Sequence, residues 1–170
     1  MKKFVGYHGT NKKLAIEIDK CFFIDSDPDA WLGAGVYFYE DIDGLFDGKQ
    51  LAINWAVVVK KYNEYVIYQA DIISDKVFDM ITNKNLQNKF MELKDELLKK
   101  HIQSGKSAEE FSDCDVYRHI TRFFEVIRVM VDGKKYEKNF PQTYTNILPQ
   151  IQLCVCNNSS KVIQNIKRLN

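Results

Sequence analysis

Apolar and polar positions change their spacing repeatedly along this chain, and each change marks an element. Phe4 to Tyr7 is a short apolar and aromatic run, read as a strand, that leads into the polar turn His8-Gly9-Thr10. Thr10 or Asn11 can cap a following helix that carries Leu14, Ile16 and Ile18. Ser26 to Gly35 contains Asp27-Pro28-Asp29 and Gly33-Ala34-Gly35, which is loop chemistry, and it delivers the chain into a second strand, Val36 to Tyr39. Gln50 to Lys60 is apolar on nearly every side, which predicts a helix buried on most faces, with helix and strand both open at its valine end. Tyr65 to Ile72 follows as a long strand. From about Asp75 to Lys135 the spacing turns helical, with Leu86, Phe90, Leu93 and Leu97 on one stripe and Val116, Ile120, Phe123, Ile127 and Met130 on another. Gly133 to Pro149 reads as a loop, Gln150 to Cys156 alternates strictly as a strand, and Lys161 to Leu169 closes the chain as a short helix. The class expected is α+β.

Composition narrows the picture without adding chemistry. The 170 residues are 45% hydrophobic and 28% charged, which fits one globular domain over 1–170 and excludes disorder and fibrous repeats. Lys plus Arg is 24 against 23 for Asp plus Glu, so no global field draws in nucleic acid or an anionic membrane, and a nucleic-acid partner needs a local patch. Met1 to Lys3 leads into no apolar stretch of signal-peptide length, and the longest apolar run is Trp55 to Val59. No membrane association is expected. Cys21, Cys114, Cys154 and Cys156 form no CxxC pair and the three histidines are far apart, so no metal is expected and a cytoplasmic protein is the default.

Three segments can carry chemistry. His8-Gly9-Thr10 puts an imidazole, a bare stretch of backbone and a hydroxyl at one spot, although a histidine that helps cap the next helix satisfies the same pattern. Gly33-Ala34-Gly35-Val36-Tyr37-Phe38 is a tight turn before an aromatic strand, and the next helix supplies Ala52, Asn54, Trp55 and Ala56. Tyr37 and Trp55 could wall a slot for a flat heterocycle carrying an amide. In the third segment, Ile151, Leu153 and Val155 alternate with Gln150, Gln152, Cys154 and Cys156, so the polar set either lines a cleft or faces water on an edge strand.

In their order and approximate spacing, His-Gly-Thr, Gly-x-Gly-x-Tyr-Phe with Ala-x-x-Trp-Ala, and the late Gln-x-Cys-Val strand resemble the ADP-ribosyltransferase superfamily. The resemblance is to its poly(ADP-ribose) polymerase and diphtheria-toxin branch, whose triad is His, Tyr and Glu, and to small bacterial members within it. It covers Phe4 to Ala56 and Gln150 to Lys167. It implies split antiparallel sheets with flanking helices, interrupted by a helical insertion around 75–135. It also implies NAD as co-substrate. His8 would then bond the adenosine-ribose 2′-hydroxyl, Gly9 would hold the nicotinamide carboxamide through its backbone, and Thr10 matches the family's hydroxyl residue. Tyr37 would stack on nicotinamide, and Asn54-Trp55 keeps the family's order with tryptophan in place of a second stacking tyrosine. Ala52 stands where polymerases carry a serine. Gln152 stands where the catalytic glutamate would be, keeping a hydrogen bond without the charge.

Tyr62-Asn63-Glu64-Tyr65-Val66-Ile67-Tyr68 is similar to the string around the polymerases' catalytic glutamate, which makes Glu64 the competitor for the third role. Its place directly after the Trp55 helix argues for Gln152. His101 and His119 lie on or near amphipathic stretches with no partners at ligand spacing, Lys94 to Lys100 is a solvated face, and Lys134 to Thr145 lies where the family contacts its target. The function expected is NAD-dependent mono-ADP-ribosyl transfer to a protein or nucleic-acid acceptor. Analogy with small family members adds a bacterial toxin or effector held by an antitoxin or immunity partner. A non-catalytic NAD or ADP-ribose binding module is the rival. An RNA 2′-phosphotransferase ranks below both, because Arg118, Arg122 and Arg128 fall on one expected helix away from the motifs, which leaves only Arg168.

Overall fold

In the computed structural model, residues 1–43, 46–132, 149–157 and 159–170 are described. The expected loop over Gly133 to Pro149, with its target-contact segment Lys134 to Thr145, therefore lies outside the described residues except for Pro149. Seven strands form one sheet: β1 (Lys2–Asn11), β2 (Val36–Glu40), β3 (Tyr65–Ser74), β4 (Val77–Asp79), β5 (Val126–Asp132), β6 (Pro149–Val155) and β7 (Ile163–Arg168). Their spatial order is β4-β5-β6-β2-β1-β3-β7, with every pair antiparallel except β4 and β5. The helices are α1 (Lys12–Lys20), α2 (Gly48–Asn54), α3 (Lys84–Gln103), α4 (Asp113–Ile120) and the single turn α5 (Ser159–Val162). The class is α+β.

The strands form one continuous sheet and not two separate ones, yet the sheet is very uneven. β1 pairs with β3 over all ten of its residues, while β1 and β2 share only Gly6↔Glu40 and Tyr7↔Tyr39. The β3 ladder also explains why His8-Gly9-Thr10 is strand where a polar turn was expected. Asn11 then caps α1, its Oδ1 accepting from Leu14 N–H at 2.8 Å. On α1 the buried residues are Ala15 and Ile18, while Ile16 is exposed.

Both faces of the sheet are covered. One carries Ala15, Ile18 and Phe23 against Phe38, Tyr68, Ile72 and Leu153. The other carries Phe90, Val116, Tyr117 and Ile120 over Ile127, Val129 and Cys154, and beside them α2 packs Leu51 and Ala52 on Tyr39 and Ile67. β6 therefore lies inside the sheet, and Gln150 and Gln152 are buried instead of facing water on an edge.

Three expectations need correction. The second helical stripe stops at Ile120, and Ile127 and Met130 belong to β5, so residues 77–132 are two α-helices, with a short 3-10 turn between them, flanked by strands β4 and β5. Six consecutive residues from Val126 to Val131, four of them valine or isoleucine, favour a pleated surface over a helix. Arg128 is accordingly on a strand and not on a helix with Arg118. The expected closing helix is α5 plus β7, because the free edge of β3 offers Ile163 to Arg168 a ladder. Gln50 to Val59 is helical, α2 running into a π-helical turn over Trp55–Val59 with Lys60 as its C-cap.

Candidate functional site

Antiparallel pairing of Tyr7 with Tyr39 would, if continued, set Gly9 opposite Tyr37. It does not continue. β1 and β2 separate, and His8 Nδ1 instead meets the Tyr37 carbonyl at 2.8 Å. A carbonyl only accepts, so Nδ1 carries the proton and Nε2 of the neutral ring is left as an acceptor. The ring packs edge-on to Phe23 at 5.2 Å and tilted against Phe38 at 5.7 Å. Burial lowers the imidazole pKa, and the Tyr37 bond offsets this in part.

Tyr37 and Gln152 lie on the opposite face from the His8 ring. β2 and β6 pair Tyr37 with Cys154 and Tyr39 with Gln152, so Tyr37 and Gln152 are diagonal neighbours on one face. The Tyr37 hydroxyl donates to the Gly33 carbonyl and accepts from Leu32 N–H, each at 2.9 Å. Gly33 sits at φ +88°, a left-handed turn that glycine adopts without strain. Burial, followed by the neighbouring Cys154 thiol, raises the Tyr37 pKa, so the phenol stays protonated. Gln152 is 7% exposed, and its Oε1 accepts from the indole N–H of Trp31 at 3.1 Å.

Gly9 has a packing reason. A Cβ there would stand 2.4 Å from the Ala52 carbonyl oxygen, so the strand is bare because α2 lies directly on it. Thr10 is buried. Trp55 packs against the cluster of Tyr39, Leu51, Ala52 and Ile67, and Lys60 Nζ lies 5.0 Å from its ring centre. Asn54 accepts from Gln50 Nε2 at 3.1 Å. Tyr37 belongs to the neighbouring cluster with Trp31, Leu32 and Cys154. The structure thus joins His8 to the backbone of Tyr37, and places Tyr37 beside Gln152 on one face. It puts Trp55 in the adjacent cluster, and Tyr39 stands between Tyr7 and Gln152.

Other candidates resolve into ordinary roles. Glu64 is exposed, pairs with Lys12 at 2.8 Å, and precedes β3, on the far side of β1 from β2. His101 meets the Ser107 carbonyl and the Phe111 ring, and His119 the Phe123 ring. Burial pushes the Cys156 thiol up to about 12 and Cys154 well above its usual value, so neither is a thiolate nucleophile at neutral pH. Arg128 is committed to Glu40 and Asp79, Arg118 to Asp29 and Asp115, and Arg168 to Asp19. Among the described residues no three His, Cys, Asp or Glu side chains gather as a metal site, and no helix is long and apolar enough to cross a membrane.

A groove of about 330 Å³ lies over β3 and β7, between Gln69, Asp71, Asn165 and Lys167. It holds none of the candidate residues. Sequence reasoning missed Trp31, which no local motif marks and whose partner is 121 residues away.

No family model, curated protein or solved structure matches the chain.

Proposed function

We propose that the protein is an NAD-dependent mono-ADP-ribosyltransferase whose site is the opening between β1 and β2. The observation that carries this reading is the parting of the strands where His8 Nδ1 takes the Tyr37 carbonyl, with Gln152 on the next strand. His8 Nε2 is then an acceptor for a ribose hydroxyl, and the Gly9 backbone, just past the point where β1 and β2 part, is the place for the carboxamide of nicotinamide. Tyr37 and Trp55 supply aromatic surface, and Thr10 and Asn54 flank these groups. Ala52 brings no side-chain donor, so the carboxamide depends on backbone contacts.

In the reaction the bond between nicotinamide and ribose C1′ breaks, its electron pair leaves with nicotinamide, and positive charge develops on the ribose. A nucleophile of the acceptor, on a protein or a nucleic acid, then forms the new bond to C1′ and loses its proton. Orientation and electrostatic stabilisation carry such a step, and Gln152 supplies hydrogen bonding there without charge. A preorganised charged group is worth on the order of a hundredfold in rate. The chemistry therefore fits slow, single transfer.

One observation favours a second reading. The Gln152 amide oxygen is already engaged by Trp31, which suits a module that binds NAD or ADP-ribose without cleaving it.

Nicotinamide release from NAD by the wild type, His8→Ala and Gln152→Glu separates the two. Transfer chemistry requires slow release that His8→Ala removes and that Gln152→Glu raises by up to about a hundredfold. Calorimetric NAD binding with no release from wild type or Gln152→Glu establishes the binding module. Absence of NAD binding, or binding that survives loss of both His8 and Tyr37, overturns both.

A further inference from the structure

The bond from Trp31 to Gln152 fixes more than a position. An indole N–H is a donor and never an acceptor, so the amide atom it meets is the oxygen, whichever way a side-chain amide might otherwise be turned. The other end of the amide, Nε2 with its two N–H groups, is then turned away from Trp31. Among the described residues it meets no acceptor. Trp31 itself is held from two sides. Its ring stands edge-on to Tyr117 of α4 at 5.8 Å, and Tyr117 lies against Phe90 of α3 at 4.9 Å. The residues after it are pinned to the Tyr37 hydroxyl through Leu32 N–H and the Gly33 carbonyl.

We infer that Trp31 is a positioning residue that locks the Gln152 amide with Nε2 toward the ligand, making position 152 a hydrogen-bond donor to a ligand oxygen. This rests on the NAD reading for the identity of that oxygen, a hydroxyl of the nicotinamide ribose. A glutamate at this position would accept the proton of that hydroxyl and feed electron density toward C1′ as nicotinamide leaves. A locked Nε2–H does the reverse: the hydroxyl accepts, its oxygen loses density, and positive charge on the ribose is harder to develop. The lock therefore favours retention of intact NAD over its cleavage, and α3 and α4 set the rate through Trp31 without touching the ligand. In Trp31→Phe the amide is free to turn and offer Oε1.

Two measurements test this. The chain has two tryptophans, so ¹H–¹⁵N spectra of the ligand-free protein show two indole N–H signals, and Trp31→Phe assigns them. The Trp31 signal is expected to exchange slowly with solvent, and to shift and lose that protection in Gln152→Ala. An indole that exchanges like an exposed one and ignores Gln152→Ala overturns the lock, whatever NAD does.

The second is a double-mutant cycle of Trp31→Phe against Gln152→Glu, read as nicotinamide release and NAD affinity, with thermal melts confirming the fold. A carboxylate has two equivalent oxygens and no hand to lock. Trp31→Phe should thus raise release about three- to tenfold when Gln152 is present, the equivalent of one net hydrogen bond, and change it less than about twofold in the Gln152→Glu background. Equal effects in both backgrounds mean that Trp31 only packs, and overturn the inference. A slowly exchanging, Gln152-dependent indole in a protein that binds no NAD leaves the lock standing and removes the NAD reading.

Discussion

The His8 imidazole is held by one carbonyl and two phenyl rings, and that environment has a measurable acid response. Burial depresses its pKa in the folded protein below the unfolded value of about 6.5, with the Tyr37 bond restoring only part. Its contribution to stability is complete above about pH 6.5. As the pH falls toward the lowered folded value, the unfolded chain takes up the proton first and the contribution is lost. His8→Asn keeps a donor for the Tyr37 carbonyl and removes the titration. Urea unfolding between about pH 7 and 5 should show a shallower loss of stability in His8→Asn than in the wild type; matching slopes would mean the imidazole is not the group excluded from water. At this scale the sequence was informative where chemistry is local. Asn11, one of the two residues offered as the cap, caps α1, and Gln150, Gln152 and Cys154 share a face as alternation predicts. Trp31 was illegible because its meaning depends on one contact far along the chain.

Elements were misread where two periods coincide. Val116, Ile120, Phe123, Ile127 and Met130 fit a helical stripe, yet the chain leaves the helix at Thr121 and re-enters as β5. Ile163, Ile166 and Leu169 also recur at helical spacing, and the free edge of β3 decides in favour of a strand. Placing Arg128 on β5 has a consequence that a helix would not. Its guanidinium spans β6 to hold Glu40 at 2.7 and 3.0 Å and Asp79 at 3.3 Å, and it stacks 5.0 Å over Phe4. Burial alone would raise the Asp79 carboxyl, but bonds from Thr82, Lys2 and the Ile81 and Thr82 N–H groups outweigh it and hold the pKa far down. The network thus ties β4, β5, β2 and β1 together beside the narrow β1–β2 junction. Arg128→Met strands the Glu40 carboxylate, while Asp79 keeps Lys2 and Thr82, and should cost about 3–5 kcal/mol in chemical denaturation, with much of the loss recovered when Glu40→Gln is added. If the single substitution costs under about 1 kcal/mol, the bridge is no more than a surface ion pair. Because the Asp79 pKa is depressed, its share of this stability persists at neutral pH and disappears only as strong acid is approached.

Across the whole molecule, the sheet is two well-paired halves, β4-β5-β6-β2 and β1-β3-β7, joined by two residue pairs. Such a junction is where main-chain groups lack ladder partners, since β1 pairs with β3 as far as Asn11 while β2 has already left it. Two places therefore compete as ligand sites: the opening at His8, Gly9 and Tyr37, and the groove over Gln69, Asp71, Asn165 and Lys167. The groove lies on the other side of β1, beside the irregular pairing between Gln69 and Asp71 and the left-handed Asn165, whose amide is bonded to Asp71. Amide hydrogen exchange with and without saturating NAD distinguishes them, because bound ligand slows local opening where it sits. Protection is expected in segments spanning Gly6–Asn11, Gly33–Glu40 and Gln150–Val155, with α3 and β7 unchanged. The junction should respond most strongly, since β1 and β2 share only two residue pairs there. Protection concentrated in Gln69–Asp71 and Ile163–Arg168 would move the site to the groove and leave His8 and Tyr37 as supports for the fold.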